Sequence, residues 1–125
     1  MKVLLSIRPE YAEKIFVGEK QFEFRKAVPK NPEVTTVVIY ATMPVGQVVG
    51  EFEVEEILSE RPCDLWALTS EFSGISKSFF NEYFRGRKRA YAFKVRDARR
   101  YDEPLALSSV LHSGVAPQSF CYLTS

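Results

Sequence analysis

Three side chains that can bind or react with a polar ligand lie within six residues of the chain: Lys20, Glu23 and Arg25. Two phenylalanines alternate with Glu23 and Arg25, and this period-two pattern is typical of a half-buried strand. If the phenylalanines face a core, Glu23 and Arg25 project together from the opposite face. Gly18 precedes this strand and can adopt the left-handed conformation that ends a helix. Lys20 then lies at the bend, from which its long side chain can reach the same face.

These residue types support several kinds of chemistry. A lysine beside a carboxylate can hold a phosphate or position a carbonyl, and its pKa falls if it is desolvated. A glutamate can accept a hydrogen bond from the exocyclic amine of a base, or act as a general base. An arginine can fork onto a phosphate or stack on a base. The structural alternative is a surface strand with a same-face ion pair, which contributes only ~0.2–1 kcal/mol.

Binding and catalysis make different demands on this set. Binding needs only the three groups held in place. Catalysis also needs a nucleophile and an oxyanion stabiliser, and the sequence identifies neither.

Charge is unevenly distributed, although the net charge is only +1. Eight basic residues lie between positions 85 and 100 against one acid, and five acids lie between positions 51 and 60 without a base. The two runs either neutralise each other on adjacent strands or indicate an anionic partner. Arg87, Lys88 and Arg89 follow a predicted helix at a turn, where we expect them to contact phosphate or to promote solubility.

The remaining reactive residues predict no metal and no cofactor. Cys63, Cys121 and the single histidine, His112, do not have the spacing of a zinc site. We interpret the cysteines as small hydrophobes and His112 as a loop residue. No apolar run approaches the ~20 residues of a membrane helix, so we expect a cytoplasmic protein that does not bind membranes. The length of 125 residues and 46% hydrophobic content predict one domain.

Periodicity predicts the order β-α-β-β-β-α-α-β-β. Pro9 opens the first helix and Gly18 ends it, while Ser76 caps the third helix. Gly50 indicates a bulge or bend within its strand. The predicted helices and strands cover residues 3–7, 9–17, 21–25, 34–41, 47–57, 62–69, 76–84, 87–96 and 101–105, with a helical turn at 107–111 and an extended end at 117–122. This order suits an α+β fold, a small and mostly antiparallel pseudo-β-barrel with short helices at its ends.

The pattern Gly18-x-Lys20-x-x-Glu23-x-Arg25, placed after a strand and a helix, resembles the opening of the ASCH domain family in the PUA-like superfamily. The stretches around Tyr40 and Thr42, around Gly86, and around Ser119 in Pro-Gln-Ser-Phe are also similar to the family. The resemblance implies a PUA-like pseudo-barrel over residues 1–125, with a cleft beside the motif strand. It also implies an RNA or nucleotide ligand, because related superfamily members bind RNA and some hold a single modified base.

Some family members resemble this chain less closely and are hydrolases that deacylate N4-acetylcytidine. They use a lysine, a threonine three residues later and a distant glutamate. Lys20 occupies the lysine position here, but Glu23 occupies the position of the threonine. A ribonuclease activity has also been associated with the family. If the protein is an enzyme, Lys20 and Glu23 are its predicted catalytic residues.

Three functions therefore remain open. The first is a module that binds RNA or a modified nucleotide, the second a small hydrolase, and the third a protein-interaction domain that uses a strand edge or the acidic residues 51–55. We favour the binding module, without a metal or cofactor. Its predicted ligand-binding residues are Lys20, Glu23, Arg25, Tyr40, Thr42, Arg87, Lys88, Arg89 and Ser119.

Overall fold

The computed structural model describes residues 1–123, which form six strands and three short helices. The strands are β1 (Lys2–Ile7), β2 (Phe22–Arg25), β3 (Thr36–Ala41), β4 (Gln47–Glu60), β5 (Ala90–Leu105) and β6 (Phe120–Leu123). The helices are α1 (Pro9–Phe16), α2 (Pro62–Thr69) and α3 (Lys77–Tyr83), with 3₁₀ turns at Ser70–Phe72 and Leu107–Ser109. The predicted order is confirmed from β1 to α3, whereas the last two strands, β5 and β6, differ from the two that were predicted there.

These six strands form one sheet in the order β2-β5-β4-β3-β1-β6. Strands β1 and β3 run parallel, and the other pairings are antiparallel. Backbone pairing does not close the sheet within residues 1–123, so the barrel has an open seam between β2 at one end of the strand order and β1 and β6 at the other. The expected α+β pseudo-barrel is confirmed, with an opening in its wall.

The apolar runs of the sequence lie in strands that are covered on both faces. In β1, Val3, Leu5 and Ile7 pack in the main core with α1, whereas Leu4 packs in a second core on the opposite face. A third apolar cluster joins Phe22 and Phe24 of β2 to α2 and α3. These two phenylalanines therefore face a core, as their spacing predicts.

Local signals place the helix ends correctly. Pro9 occupies the first turn of α1, and Gly18 follows that helix with a φ of +86°. The hydroxyl of Ser76 accepts a hydrogen bond from the Phe79 amide at 3.0 Å and caps α3. On α2, Leu65 is buried whereas Leu68 is 61% exposed.

The two strands predicted at 87–96 and 101–105 form one strand of 16 residues, β5. It pairs with β2 on one side and with β4 on the other. The strand passes through Asp97 by a shift of register against β4, and Asp97 has a φ of +49° there. The register against β4 shifts on either side of Gly50, which confirms the predicted bulge. Arg87, Lys88 and Arg89 lie at the turn between α3 and β5, as predicted, although the strand begins at Ala90 rather than at residue 87.

Much of the charge segregation is neutralised between β4 and β5. Their antiparallel register sets Glu51 opposite Arg99, and an ion pair joins these two residues. Glu55 similarly pairs with Lys94 at 2.7 Å. The acidic run is therefore partly neutralised by cations of the neighbouring strand. Among residues 1–123, no helix is both long and apolar enough to cross a membrane.

Candidate functional site

A cleft of about 250 Å³ opens at the seam of the barrel, between the end of β1, α1, β2, α3 and the segment before β6. Its lining combines charged groups from the Lys20 motif with aromatic groups from two helices. The lining residues are Ser6, Ile7, Arg8, Tyr11, Lys20, Glu23, Phe24, Arg25, Ile75, Phe79, Tyr83 and Gln118. The three motif residues that the sequence singles out therefore meet in one cavity.

Lys20 is only 2% exposed. Its ammonium donates a hydrogen bond to the Ser73 carbonyl at 2.7 Å and lies 4.0 Å from a carboxylate oxygen of Glu23. It also lies 4.8 Å from the centre of the Phe24 ring. Gly74 accommodates the stem of this lysine, because a Cβ at Gly74 would approach the Lys20 Cβ to 2.6 Å.

Burial has a direct electrostatic consequence for Lys20. Desolvation of the ammonium lowers its pKa to about 8, and the opposing attraction of Glu23 offsets only part of this effect. The ammonium therefore lies near its titration midpoint in mildly basic solution. A lysine in this condition can donate or accept a proton as well as bind an anion.

Arg25 holds Glu23 in place. Its Nε and Nη2 donate to the same carboxylate oxygen of Glu23 at 3.0 and 2.8 Å. Nη2 also donates to the Ser6 carbonyl at 2.7 Å, and Nη1 donates to the Ser119 carbonyl at 3.4 Å. Glu23 is 7% exposed, so the pair is not the surface ion pair of the structural alternative.

The bonds of Arg25 also bridge the open seam. Ser6 lies at the end of β1 and Ser119 directly precedes β6, whereas Arg25 ends β2. A side chain thus joins the two ends of the sheet, which the described strands do not join by backbone pairing. Arg25 is therefore a positioning residue for both Glu23 and the cleft walls.

An aromatic wall, missed by sequence reasoning, faces the motif residues. The rings of Tyr11 and Phe79 meet edge to face at 5.9 Å, and those of Phe79 and Tyr83 stack at 6.4 Å. The Arg8 guanidinium lies 5.6 Å from the Phe79 ring centre. The sequence indicates apolar faces on α1 and α3 but not that they meet across the cleft. Burial raises the pKa of Tyr83, so its hydroxyl stays protonated.

A second groove, of about 390 Å³, lies beside the cleft and is basic. Lys26, Arg87, Lys88 and Arg89 line it with Tyr91. No ion pair within residues 1–123 involves any of these four cations. The Lys26 ammonium lies 4.8 Å from the Tyr83 ring centre, so this pair connects the groove to the cleft wall.

The remaining predicted site residues lie outside the cleft lining. Tyr40 is 8% exposed and packs in the core with Leu4. Thr42 follows β3, and its amide donates to the Ile7 carbonyl at 3.0 Å. Ser119 is exposed and touches the site through its carbonyl bond with Arg25. Their roles in ligand binding stay predictions.

Residues 1–123 contain no cluster of metal-ligating side chains, and both cysteines are free. The predictions of no metal and no cofactor are not tested by this finding.

The fold and the cleft at the barrel seam define a PUA-like domain. More specifically, the model of the ASCH domain family matches residues 5–104, and the chain belongs to this family.

Relatives of known name support the same placement. The chain is 33% identical over 96 residues to an ASCH domain-containing ribonuclease of Zymomonas mobilis, covering 77% of this chain and 65% of that protein. The crystal structure of ASCH from Zymomonas mobilis has a TM-score of 0.89 at 31% identity, with 98% of this chain and 87% of that chain covered. A serine-to-alanine variant of that protein gives a TM-score of 0.90 at 29% identity, covering 98% of this chain and 88% of that chain.

A different relative is much longer. The chain is 33% identical over 122 residues to the large ribosomal subunit protein uL22 of Ureaplasma parvum, covering 97% of this chain. The chain spans only 39% of the length of that relative.

Proposed function

We propose that this ASCH domain binds single-stranded RNA, with one base in the cleft and the adjoining phosphates along the basic groove. The observation that carries the proposal is the continuity of the two features. A polar floor of Lys20 and Glu23 lies under an aromatic wall. Tyr83 of that wall contacts Lys26, which lines the basic groove. The cations of this groove form no ion pair with a carboxylate of residues 1–123.

The cleft has the properties of a base site. Aromatic side chains stack with bases and contribute ~1–3 kcal/mol per base. Tyr83 and Phe79 supply such faces, while Lys20 and Glu23 supply a donor and an acceptor for the base edge. A cavity of about 250 Å³ admits one base rather than a duplex, which favours an unpaired strand.

The groove has the properties of a phosphate site. Each lysine or arginine that neutralises a phosphate releases condensed counterions, so affinity falls as salt rises. Arg87 is already oriented by a hydrogen bond from its Nη2 to the Lys26 carbonyl at 3.1 Å. This bond fixes its position at the groove and leaves further donors for a phosphate.

The test is a titration of a short single-stranded RNA at several salt concentrations. One variant replaces the groove residues Arg87, Lys88 and Arg89 with glutamine. A control variant makes the same change at three exposed cations elsewhere, which are Lys30, Arg61 and Arg96. We expect the groove variant to reduce the salt slope by about 0.7 for each phosphate that the protein no longer neutralises, and the control to retain it. Absence of RNA binding, or equal losses of affinity in both variants, would refute the proposal.

Cleavage of RNA is a second candidate function. The pKa of Lys20 is lowered to about 8, so its ammonium, 4.0 Å from Glu23, can donate or accept a proton in the cleft. The relative from Zymomonas mobilis is named a ribonuclease. We expect wild-type protein to cleave a short RNA with a pH profile that reflects a group near pH 8, and Lys20→Ala to abolish cleavage. Mass detection of products, with Lys30→Ala as control and N4-acetylcytidine as a parallel substrate, tests this candidate. Intact RNA after incubation with the wild-type protein would contradict cleavage, and RNA binding would remain the proposed function.

The proposal also covers the cellular location of the protein and its domain organisation. A role in RNA binding and two free cysteines support a cytoplasmic location. The match to the ASCH model over residues 5–104 supports a single domain within these 125 residues. Subcellular fractionation tests the cytoplasmic location, and limited proteolysis tests the single domain.

A further inference from the structure

Gln118 is a cleft residue that has no part in the functions described above. Its side chain is exposed and lines the cleft together with Lys20 and Glu23. It belongs to the segment that leads into β6, on the opposite side of the barrel seam from β2.

The backbone on both sides of Gln118 is held in place. The Ser6 hydroxyl donates to the Pro117 carbonyl at 2.9 Å. The Arg25 guanidinium donates to the Ser119 carbonyl at 3.4 Å. Because this backbone is already anchored, a ligand that meets the side chain does not have to order the segment, which is a property of recognition residues.

The chemistry of Gln118 differs from that of its polar neighbours. Lys20 only donates hydrogen bonds when it is charged, and an ionised Glu23 only accepts them. The amide of Gln118 offers a donor and an acceptor side by side, which matches the adjacent acceptor and donor on the edge of adenine. A carboxylate at this position would offer two acceptors and lose that match.

We propose that Gln118 reads the edge of the base held in the cleft and sets the base preference of the domain. This inference rests on the proposed function, since it requires a base in the cleft. It adds a specificity-determining residue opposite the Lys20 motif. The predicted ligand is an unpaired nucleotide whose base is adenine, because adenine N7 and N6 place an acceptor next to a donor.

The experiment measures the affinity of wild-type protein, Gln118→Glu and Gln118→Ala for short single-stranded RNAs with one varied central base. The flanking positions carry stable abasic sugars, so that only one base can occupy the cleft. Gln47→Glu is the matched control, because Gln47 is also exposed but lies at the start of β4, outside the cleft lining. It reproduces the added negative charge without altering the base contact.

We expect Gln118→Glu to lower the ratio of adenine affinity to guanine affinity by about tenfold, within the range that one bidentate base contact provides. Gln118→Ala should reduce the spread among the four bases, and Gln47→Glu should lower all four affinities by a common factor. A common factor with Gln118→Glu as well would overturn the inference and leave RNA binding intact. Absence of binding by the wild-type protein would overturn both.

Discussion

The buried ammonium of Lys20 predicts an unusual dependence of stability on pH. The pKa of Lys20 falls from 10.5 in the unfolded chain to about 8 in the folded protein, because folding removes the ammonium from water. Below pH 8 both states bind the proton, and the folded state bears the full cost of the buried charge. Between pH 8 and 10.5 the unfolded chain binds more protons, so stability rises with pH.

The size of this rise follows from the two pKa values. Their difference corresponds to roughly 3 kcal/mol, at about 1.4 kcal/mol per pKa unit. About 2.5 kcal/mol of it falls between pH 7 and pH 10. Because Lys20 is 2% exposed, little of this energy is screened by solvent.

Urea unfolding at several pH values tests this reasoning by comparing wild-type protein with Lys20→Met. Tyrosines and other lysines titrate in both proteins, so their contributions cancel in the difference. We expect the free energy of unfolding of the wild-type protein to rise by about 2–3 kcal/mol relative to that of the variant between pH 7 and pH 10. Lys30→Met, at an exposed position, should track the wild type. Parallel curves for wild type and Lys20→Met would refute the lowered pKa.

Three further predictions concern the bridge across the seam and the pairing of β4 with β5. Arg25→Lys should destabilise the fold by about 2–3 kcal/mol in urea unfolding, because one lysine cannot bond to Glu23 and to the carbonyls of Ser6 and Ser119 at once. An unchanged urea midpoint would show that the fold does not need this bridge across the seam. Gly50→Ala should lower the free energy of unfolding by more than about 2 kcal/mol, since its Cβ would come within 2.4 Å of the Arg99 carbonyl oxygen; a decrease below about 0.5 kcal/mol would contradict the tight approach. Tyr101→Phe removes the 2.7 Å hydrogen bond to the buried Glu51 carboxylate, whose pKa lies below its ordinary value. The resulting destabilisation should be about 1–3 kcal/mol at pH 7 and should shrink as pH falls and Glu51 becomes protonated; equal destabilisation at neutral and acidic pH would argue against this hydrogen bond.

The sequence predicted the elements of the site because their signals are local. The alternation around Glu23, the glycine after α1 and the serine cap of α3 act within a few residues of the chain. The resemblance of the Lys20 motif then predicted membership of the ASCH domain family, and the match over residues 5–104 confirms it.

The environment of each site residue was decided by contacts that are remote in sequence. Periodicity predicted that Glu23 and Arg25 share a face, but it could not show that Ser6 and Ser119 would enclose that face. The sequence predicted Tyr40 as a ligand-binding residue but carried no sign that packing with residues from other strands buries it.

What the sequence alone determined is therefore the set of reactive groups and the face on which each lies. Only the tertiary structure decided which groups are dry, which are paired and which meet in one cavity. Lys20 shows the reason: its ammonium is enclosed beside the carbonyl of Ser73, 53 residues away, and that burial lowers its pKa. Desolvation depends on everything that packs around a group, and a local pattern carries no record of distant neighbours.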